Sequence, residues 1–354
     1  MFNIYKFTAE GAEIAEKKLC SSLRSPRFIT IHYMLNKLRI VFIFVLLANQ
    51  RGAAVTPGDG YIIKFLFAFP EPAPINNLPL AQPQALAIDQ EGQVFVVDSG
   101  NHRVLKFDHA GNFLAAVGGF GWGREQFDRP LDITAKTGLD VFIADYNNER
   151  IERYDTKLNY ISSFYSNAAV STALQFGFPD GVDISRHGEL FICDQEHDRI
   201  LKLNIRGEPD VSFGDFNSGE GQLQLPAKIE ISPADLVYVS DQPANEIVVF
   251  DYYGNYLSRF GKEVLNQPNG LTWSADGKLY VANPGNHRVV MFNKEHQLIF
   301  SWGERGEKAG AFNLPVDVAI FKNQIYVLDS GNRRIQVFEL QEKAISSAIK
   351  KEGH

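Results

Sequence analysis

A short apolar run that stops at an aspartate or asparagine recurs six times along the chain. It reads VFVVD from Val94, VFIAD from Val141, LFICD from Leu190, VYVSD from Val237, LYVAN from Leu279 and IYVLD from Ile325. The closing residues Asp98, Asp145, Asp194, Asp241, Asn283 and Asp329 lie 47, 49, 47, 42 and 46 residues apart. Short runs rich in β-branched and aromatic side chains predict strands. A proline opens each unit, at Pro83, Pro130, Pro179, Pro226, Pro268 and Pro315. Within the first unit, strands are predicted at 86–89, 94–98, 103–108 and 113–117. Turns fall at Gly92, at Gly100 with Asn101, and at Gly111 with Asn112, residues that tolerate positive φ.

Four short strands per unit, repeated at this spacing with no helical period between them, predict an all-β fold: a six-bladed β-propeller of four-stranded antiparallel blades. The sixth unit runs out of sequence after 333–340, so its outer strand is missing. The segment 62–69 (IIKFLFAF) stands before the first unit without partners. It is predicted to be that strand, closing the ring and removing an exposed sheet edge.

Charge is unevenly spread. The whole chain is −7, but residues 55–354 alone carry a formal net charge of −12. Such a domain repels phosphate backbones unless it has a local basic patch, which argues against nucleic acid as a partner. Only two cysteines occur, Cys20 and Cys193, which excludes a disulfide scaffold and a multi-thiolate metal site. Cys193 lies inside an apolar strand and reads as an inert thiol.

The basic tilt of the first 54 residues has its own reading. Lys37 and Arg39 precede the apolar stretch 40–48, and small residues follow at Gly52, Ala53 and Ala54. That is the layout of a secretory signal peptide over 34–54, placing the mature chain in a periplasmic or extracellular space. Nine apolar residues reach only about 13 Å as a helix, short of a bilayer core of about 30 Å. Contact with a membrane is expected only if this segment stays uncleaved. Residues 1–33 precede the signal as a leader that translation from Met34 would omit. The domain is expected over 55–340 and a flexible tail over 341–354.

The words SGNHRV at 99–104, PGNHRV at 284–289 and SGNRRI at 330–335, with linkers such as SWGERGEKAGAFNLP at 301–315, resemble the NHL repeat. The resemblance covers about 61–340. It implies a propeller that serves as a protein-interaction platform, an RNA-binding domain or, in some relatives, an enzyme. Fold does not choose among these. Enzymatic relatives include an amidating lyase and metal-dependent lactonases. The lyase would need histidines converging on zinc, and the inner strands here hold none.

The repeat residues read as structural. Asp98 is expected to accept backbone N–H groups of the turn that follows it, and Arg103 to pair with it in bidentate fashion. The same pairing is expected for Asp145 with Arg150, Asp194 with Arg199 and Asp329 with Arg334. The fourth unit departs, with Glu246 where arginine stands elsewhere. The fifth combines Asn283 with Arg288. His102 and His287 occupy equivalent turns far apart on the ring and cannot share a metal ion.

Function is sought on the axis. The residues just after the repeat prolines bring Asp132, Asp180, Asp183, Lys228, Glu230, Asn269 and Asp317 to the inner strands. Oxygen donors from several blades could converge on a hard cation such as calcium, although no cofactor is required by the sequence. The connections carry Phe120, Trp122, Phe127, Phe176, Phe178, Phe213, Phe216, Trp302 and Phe312, expected mainly as wedges between blades. No phosphate-binding loop, G-x-S-x-G or H-E-x-x-H motif occurs. The sequence therefore points to a non-enzymatic binding scaffold for a protein, peptide or glycan, with a metal-assisted hydrolase or lyase in the channel as the alternative. An RNA-binding propeller is a second alternative, opposed by the charge.

Overall fold

The computed structural model describes residues 60–70, 78–166, 171 and 174–343. The expected leader, export signal and most of the tail fall outside these residues. Six four-stranded antiparallel sheets are present, with no α-helix among the described residues. In blade 1 the strands run Pro83–Ile88, Val94–Asp98, Arg103–Phe107 and Phe113–Gly118, from the axis outward. The inner strands of the others are Pro130–Thr134, Pro179–Ile184, Pro226–Ile231, Leu271–Trp273 and Pro315–Phe321. Each inner strand contacts those of both neighbouring blades, and 315–321 contacts 83–88, so the ring is closed.

Closure uses the predicted segment. Tyr61–Phe69 pairs antiparallel with Arg334–Glu342, from Tyr61 opposite Glu342 to Phe69 opposite Ile335. The last strand thus runs to Glu342, two residues past the expected end of the domain. Phe69 is buried and packs edge-on against Phe107 of blade 1, ring centroids 5.3 Å apart.

The apolar runs are continuous because both faces of every sheet are covered. Side chains alternate across a strand. Val94 and Val96 enter the core shared with blade 6, while Phe95 and Val97 enter the core shared with blade 2. Six such cores exist, one at each blade junction. Phe127, Phe176, Phe213, Trp302 and Phe312 are buried in them and act as wedges. Phe178 is half-buried, and Phe120, Trp122 and Phe216 point to solvent.

The repeat aspartates work differently from expectation. Asp98 Oδ1 accepts the N–H of Ala81, in the linker before its own blade, at 2.7 Å. Asp145, Asp194, Asp241, Asn283 and Asp329 likewise accept from residues 128, 177, 224, 266 and 313. Each of these donors lies two residues before its repeat proline. The motif residue therefore fixes the entry of each inner strand, where no ladder partner is available for that N–H.

The arginine pairing is not bidentate at Arg150. Its Nε serves Asp145, leaving the terminal nitrogens for the carbonyls of Trp122, Gly123 and Gln126. Arg103, Arg199 and Arg334 also meet their aspartates through Nε. Blade 4 shifts the arginine one strand outward: Arg259 pairs with Glu246 and binds the carbonyls of Glu220 and Gln222. In blade 5 Arg288 is exposed, and Asn283 holds the linker through Asn266 N–H and the Val264 carbonyl, which Asn286 also binds.

The motif turn also differs in detail. Its left-handed residue is His102 (φ 53°), following a 3-10 turn over Ser99–Asn101. Gly100 is needed for closeness instead, since a Cβ there would lie 2.7 Å from the Ala81 carbonyl oxygen.

Candidate functional site

Counting from the repeat proline explains the axis. Two residues on stand Ala85, Asp132, Gly181, Lys228, Gly270 and Asp317. Small and large side chains alternate around this tier, because six large ones would not fit. At Gly270 a Cβ would fall 1.8 Å from Asp317 Oδ1. Four residues on stand Ala87, Thr134, Asp183, Glu230, Thr272 and Ala319.

These tiers surround a cavity of about 220 Å³ lined by Asp132, Asp183, Lys228, Glu230, Asp317 and Trp273, among others. It shares Lys136, Glu230 and Trp273 with a second cavity of about 660 Å³ at the hairpin end, beside Arg186, His187 and Asp235. Asp180 and Asn269 do not join them. One residue after their prolines, they have the opposite pleat. Asp180 accepts from Gln195, whose amide oxygen takes the Tyr146 hydroxyl. The Asn269 N–H bonds to the Ala282 carbonyl.

Four of the converging acids stitch blades together. Asp317 accepts Leu86 N–H at 2.8 Å, Asp132 accepts Val182 N–H at 2.8 Å, Asp183 accepts Ile231 N–H at 2.7 Å and Glu230 accepts Trp273 N–H at 3.2 Å. Each donor belongs to the next blade's inner strand, whose axial edge has no ladder partner. Asp317 turns its other oxygen to the N–H of Val318 at 2.8 Å, and the oxygens of Asp132, Asp183 and Glu230 also meet two lysines. Lys228 Nζ lies 2.5 Å from Asp132 Oδ1 and donates to the Leu131 carbonyl. Lys136 Nζ bridges Asp183 at 2.6 Å and Glu230 at 2.5 Å, and Thr134 donates to Asp183. Lys136 was missed in the sequence. Its signal was available: it stands six residues after Pro130, in phase with Asp132 and Thr134.

Burial dominates the electrostatics. It pushes Asp180, Glu230 and Asp317 up to about 7, against the pull of Lys228 or Lys136, and it raises Asp132 as well. Glu152, in blade 2, is also pushed by burial to about 7. Burial pulls the Lys228 ammonium down, but Asp132, Asp317 and Asp180 more than reverse this and leave it raised. The native state therefore holds protons that the unfolded chain releases above about pH 4. Stability falls as pH rises from about 4 towards 7 and levels off beyond. Urea unfolding at pH 5, 6, 7 and 8 should show a midpoint that declines across the series. A rising midpoint would contradict this electrostatic picture.

The turn histidines serve the blade joints. His102 Nδ1 accepts Arg129 N–H and His287 Nδ1 accepts Leu314 N–H, both at 3.1 Å. Burial keeps the Cys193 thiol well above its ordinary value, in keeping with an inert group. Among the described residues, no group of three or more His, Cys, Asp and Glu side chains is arranged to hold a metal ion.

The NHL repeat family model matches residues 80–107 and 312–338. These segments carry the inner strands and repeat motifs of blades 1 and 6, the two that flank the closure. The chain is an NHL-repeat propeller. This propeller is 24% identical to Protein brain tumor of Drosophila melanogaster over 36% of its own length and 13% of that protein's. It is 22% identical to NHL repeat-containing protein 2 of Gallus gallus over 76% of its length and 48% of the relative's. The chain thus spans less than half of either relative. In three dimensions the NHL propeller overlays a gluconolactonase from Xanthomonas campestris with a TM-score of 0.57 at 14% identity, covering 82% of this chain and 93% of the other. At that identity the likeness concerns the fold.

Proposed function

We propose that this NHL propeller is a non-catalytic binding module that presents its rim to a protein or peptide partner. The observation that carries this reading is the state of the axial acids. Asp132, Asp183 and Glu230 spend their oxygens on backbone N–H groups of neighbouring blades and on the ammonium groups of Lys228 and Lys136, and Asp317 spends its own on the N–H groups of Leu86 and Val318. A hard cation needs six to eight oxygen ligands, and a catalytic one also needs an open position. Two lysines inside the donor set repel such an ion and occupy its ligands. The arrangement reads as a polar plug that locks the ring.

The rival reading, a metal-assisted hydrolase or lyase in the channel, makes an opposite prediction about metal. The full chain, dialysed extensively and analysed by plasma mass spectrometry, is expected to retain only substoichiometric divalent ions. One ion per chain, lost in Asp183→Asn or Asp317→Asn, would overturn the binding-module reading.

A further inference from the structure

The connection between blades 1 and 2 has a twin that serves as its internal control. In the first, Phe127 N–H bonds to the Gly119 carbonyl and Gly121 N–H to the Phe127 carbonyl. In the connection between blades 5 and 6, Phe312 N–H bonds to the Glu304 carbonyl and Gly306 N–H to the Phe312 carbonyl. Phe127 and Phe312 are both fully buried. Asn148 binds the Gly121 carbonyl as Asn332 binds that of Gly306. Arg150 binds the carbonyls of Gly123 and Gln126 as Arg334 binds those of Lys308 and Ala311. The two loops are therefore equivalent residue by residue.

In that register Phe120 matches Arg305 and Trp122 matches Glu307. Phe120 is 66% exposed and Trp122 79% exposed. The fold holds this loop just as well with two charged residues, so neither aromatic ring is needed for packing. Phe120 leans edge-on against His102. The Trp122 carbonyl is held by Arg150, which also bonds the hydroxyl of Tyr165, a third exposed ring. The rings stand on a backbone pinned from several sides, so little ordering entropy is lost when they are covered.

The surrounding charge indicates what covers them. Glu125 and Glu149 are exposed at the loop, and neither forms an ion pair with another of the described residues. Of the positive groups nearby, Arg124 lies over Tyr160, Arg129 lies over Tyr146, and Arg150 is buried against Asp145 and Glu152. In the twin connection, Arg333 stands where Glu149 does, Arg305 and Lys308 replace Phe120 and Gly123, and Glu304 and Glu307 replace Gly119 and Trp122, so the twin has three positive and two negative groups against one and two here. The aromatic site is thus the acidic one of the pair. Exposed tryptophan flanked by carboxylates suits a cation beside an apolar group.

We infer that Phe120, Trp122 and Tyr165, flanked by Glu125 and Glu149, form a docking site for an extended segment of a partner protein that presents an aromatic or proline side chain next to a lysine or arginine. The inference rests on the binding-module reading and adds the surface and the partner's chemistry.

The test exchanges the loop for its twin. The double variant Phe120→Arg, Trp122→Glu carries residues the fold already tolerates and leaves net charge unchanged. A phage-displayed library of random dodecapeptides is panned against the full chain, and enriched peptides are titrated by calorimetry onto both proteins. The enriched peptides should combine an aromatic or proline residue with Lys or Arg. They should bind the variant at least ~10-fold more weakly, with its melting temperature unchanged. Peptides that bind the variant equally well overturn the surface assignment and leave the binding-module reading standing. A library that enriches nothing, or enriches acidic peptides, overturns the inference. Retention of a labelled single-stranded RNA that the double variant abolishes would overturn it in favour of nucleic acid. Loss of the underlying reading shows separately, as a stoichiometric retained metal.

Discussion

Lys228→Met should lose about 3–5 kcal/mol of stability at pH 8, the cost of stranding buried carboxylates without their counter-charge. Lys228 is buried on the axis, with its ammonium on Asp132 and the charges of Asp180 and Asp317 nearby. Methionine keeps the length of the side chain, so the packing loss is small and the electrostatic loss dominates. The deficit should shrink at pH 5. There Asp180 and Asp317, pushed by burial up to about 7, are protonated and no longer repel one another. A second substitution, Asp132→Asn, should recover part of the loss at pH 8. Urea unfolding of the two variants at both pH values measures all three statements. An equal deficit at pH 5 and pH 8 would show that Lys228 matters for packing and not for charge.

Removal of residues 57–69 should lower the melting temperature sharply and produce soluble oligomers. Without Tyr61–Phe69 the strand Arg334–Glu342 becomes a free edge nine residues long, a template for pairing with another chain. Phe69 also links blade 6 to blade 1 through Phe107, Tyr326 and the close approach of Gly111. Phe69→Ala alone is expected to cost about 3–5 kcal/mol, as for other buried aromatics. Calorimetry and light scattering report both effects. A truncated chain that stays monomeric with an unchanged melt would mean that the ring does not depend on this strand.

Much of this architecture was legible because its causes are local and repeated. The apolar runs ending at Asp98, Asp145, Asp194, Asp241, Asn283 and Asp329 announce the second strand of each blade, and the prolines mark where each inner strand starts. Even closure was readable, since a blade short of one strand and a strand short of one blade stood at opposite ends of the chain. Less legible was what the motif does. The aspartates were expected to accept backbone N–H groups of the turn that follows; they take the N–H of the linker before, where it lacks a partner, and reach the turn through the side chains of Asn101, Asn148 and Asn332.

The axis was only half readable. Five of the seven proposed residues meet around the cavity, while Asp180 and Asn269 sit one register position away on the other pleat. Lys136 was absent from the proposal, although it shares the phase of Asp132. The connection aromatics were treated as one class, but Phe127 and Phe312 are buried whereas Phe120 and Trp122 are exposed. Their composition is the same, and only the hydrogen-bonded path of the loop separates them.

The sequence by itself determined the number of blades, the strand order within each blade and the pairing of the chain's two ends. These follow from continuous apolar, β-branched runs inside strands and from a spacing of some four dozen residues between them. The tertiary structure alone decided the chemistry of the axis. Lys228 and Asp132 are 96 residues apart in sequence and meet only because the closed ring brings their blades to one point. Whether a buried carboxylate is a free ligand or half of an ion pair depends on which ammonium group reaches it. That distance is set by closure and appears in no local pattern.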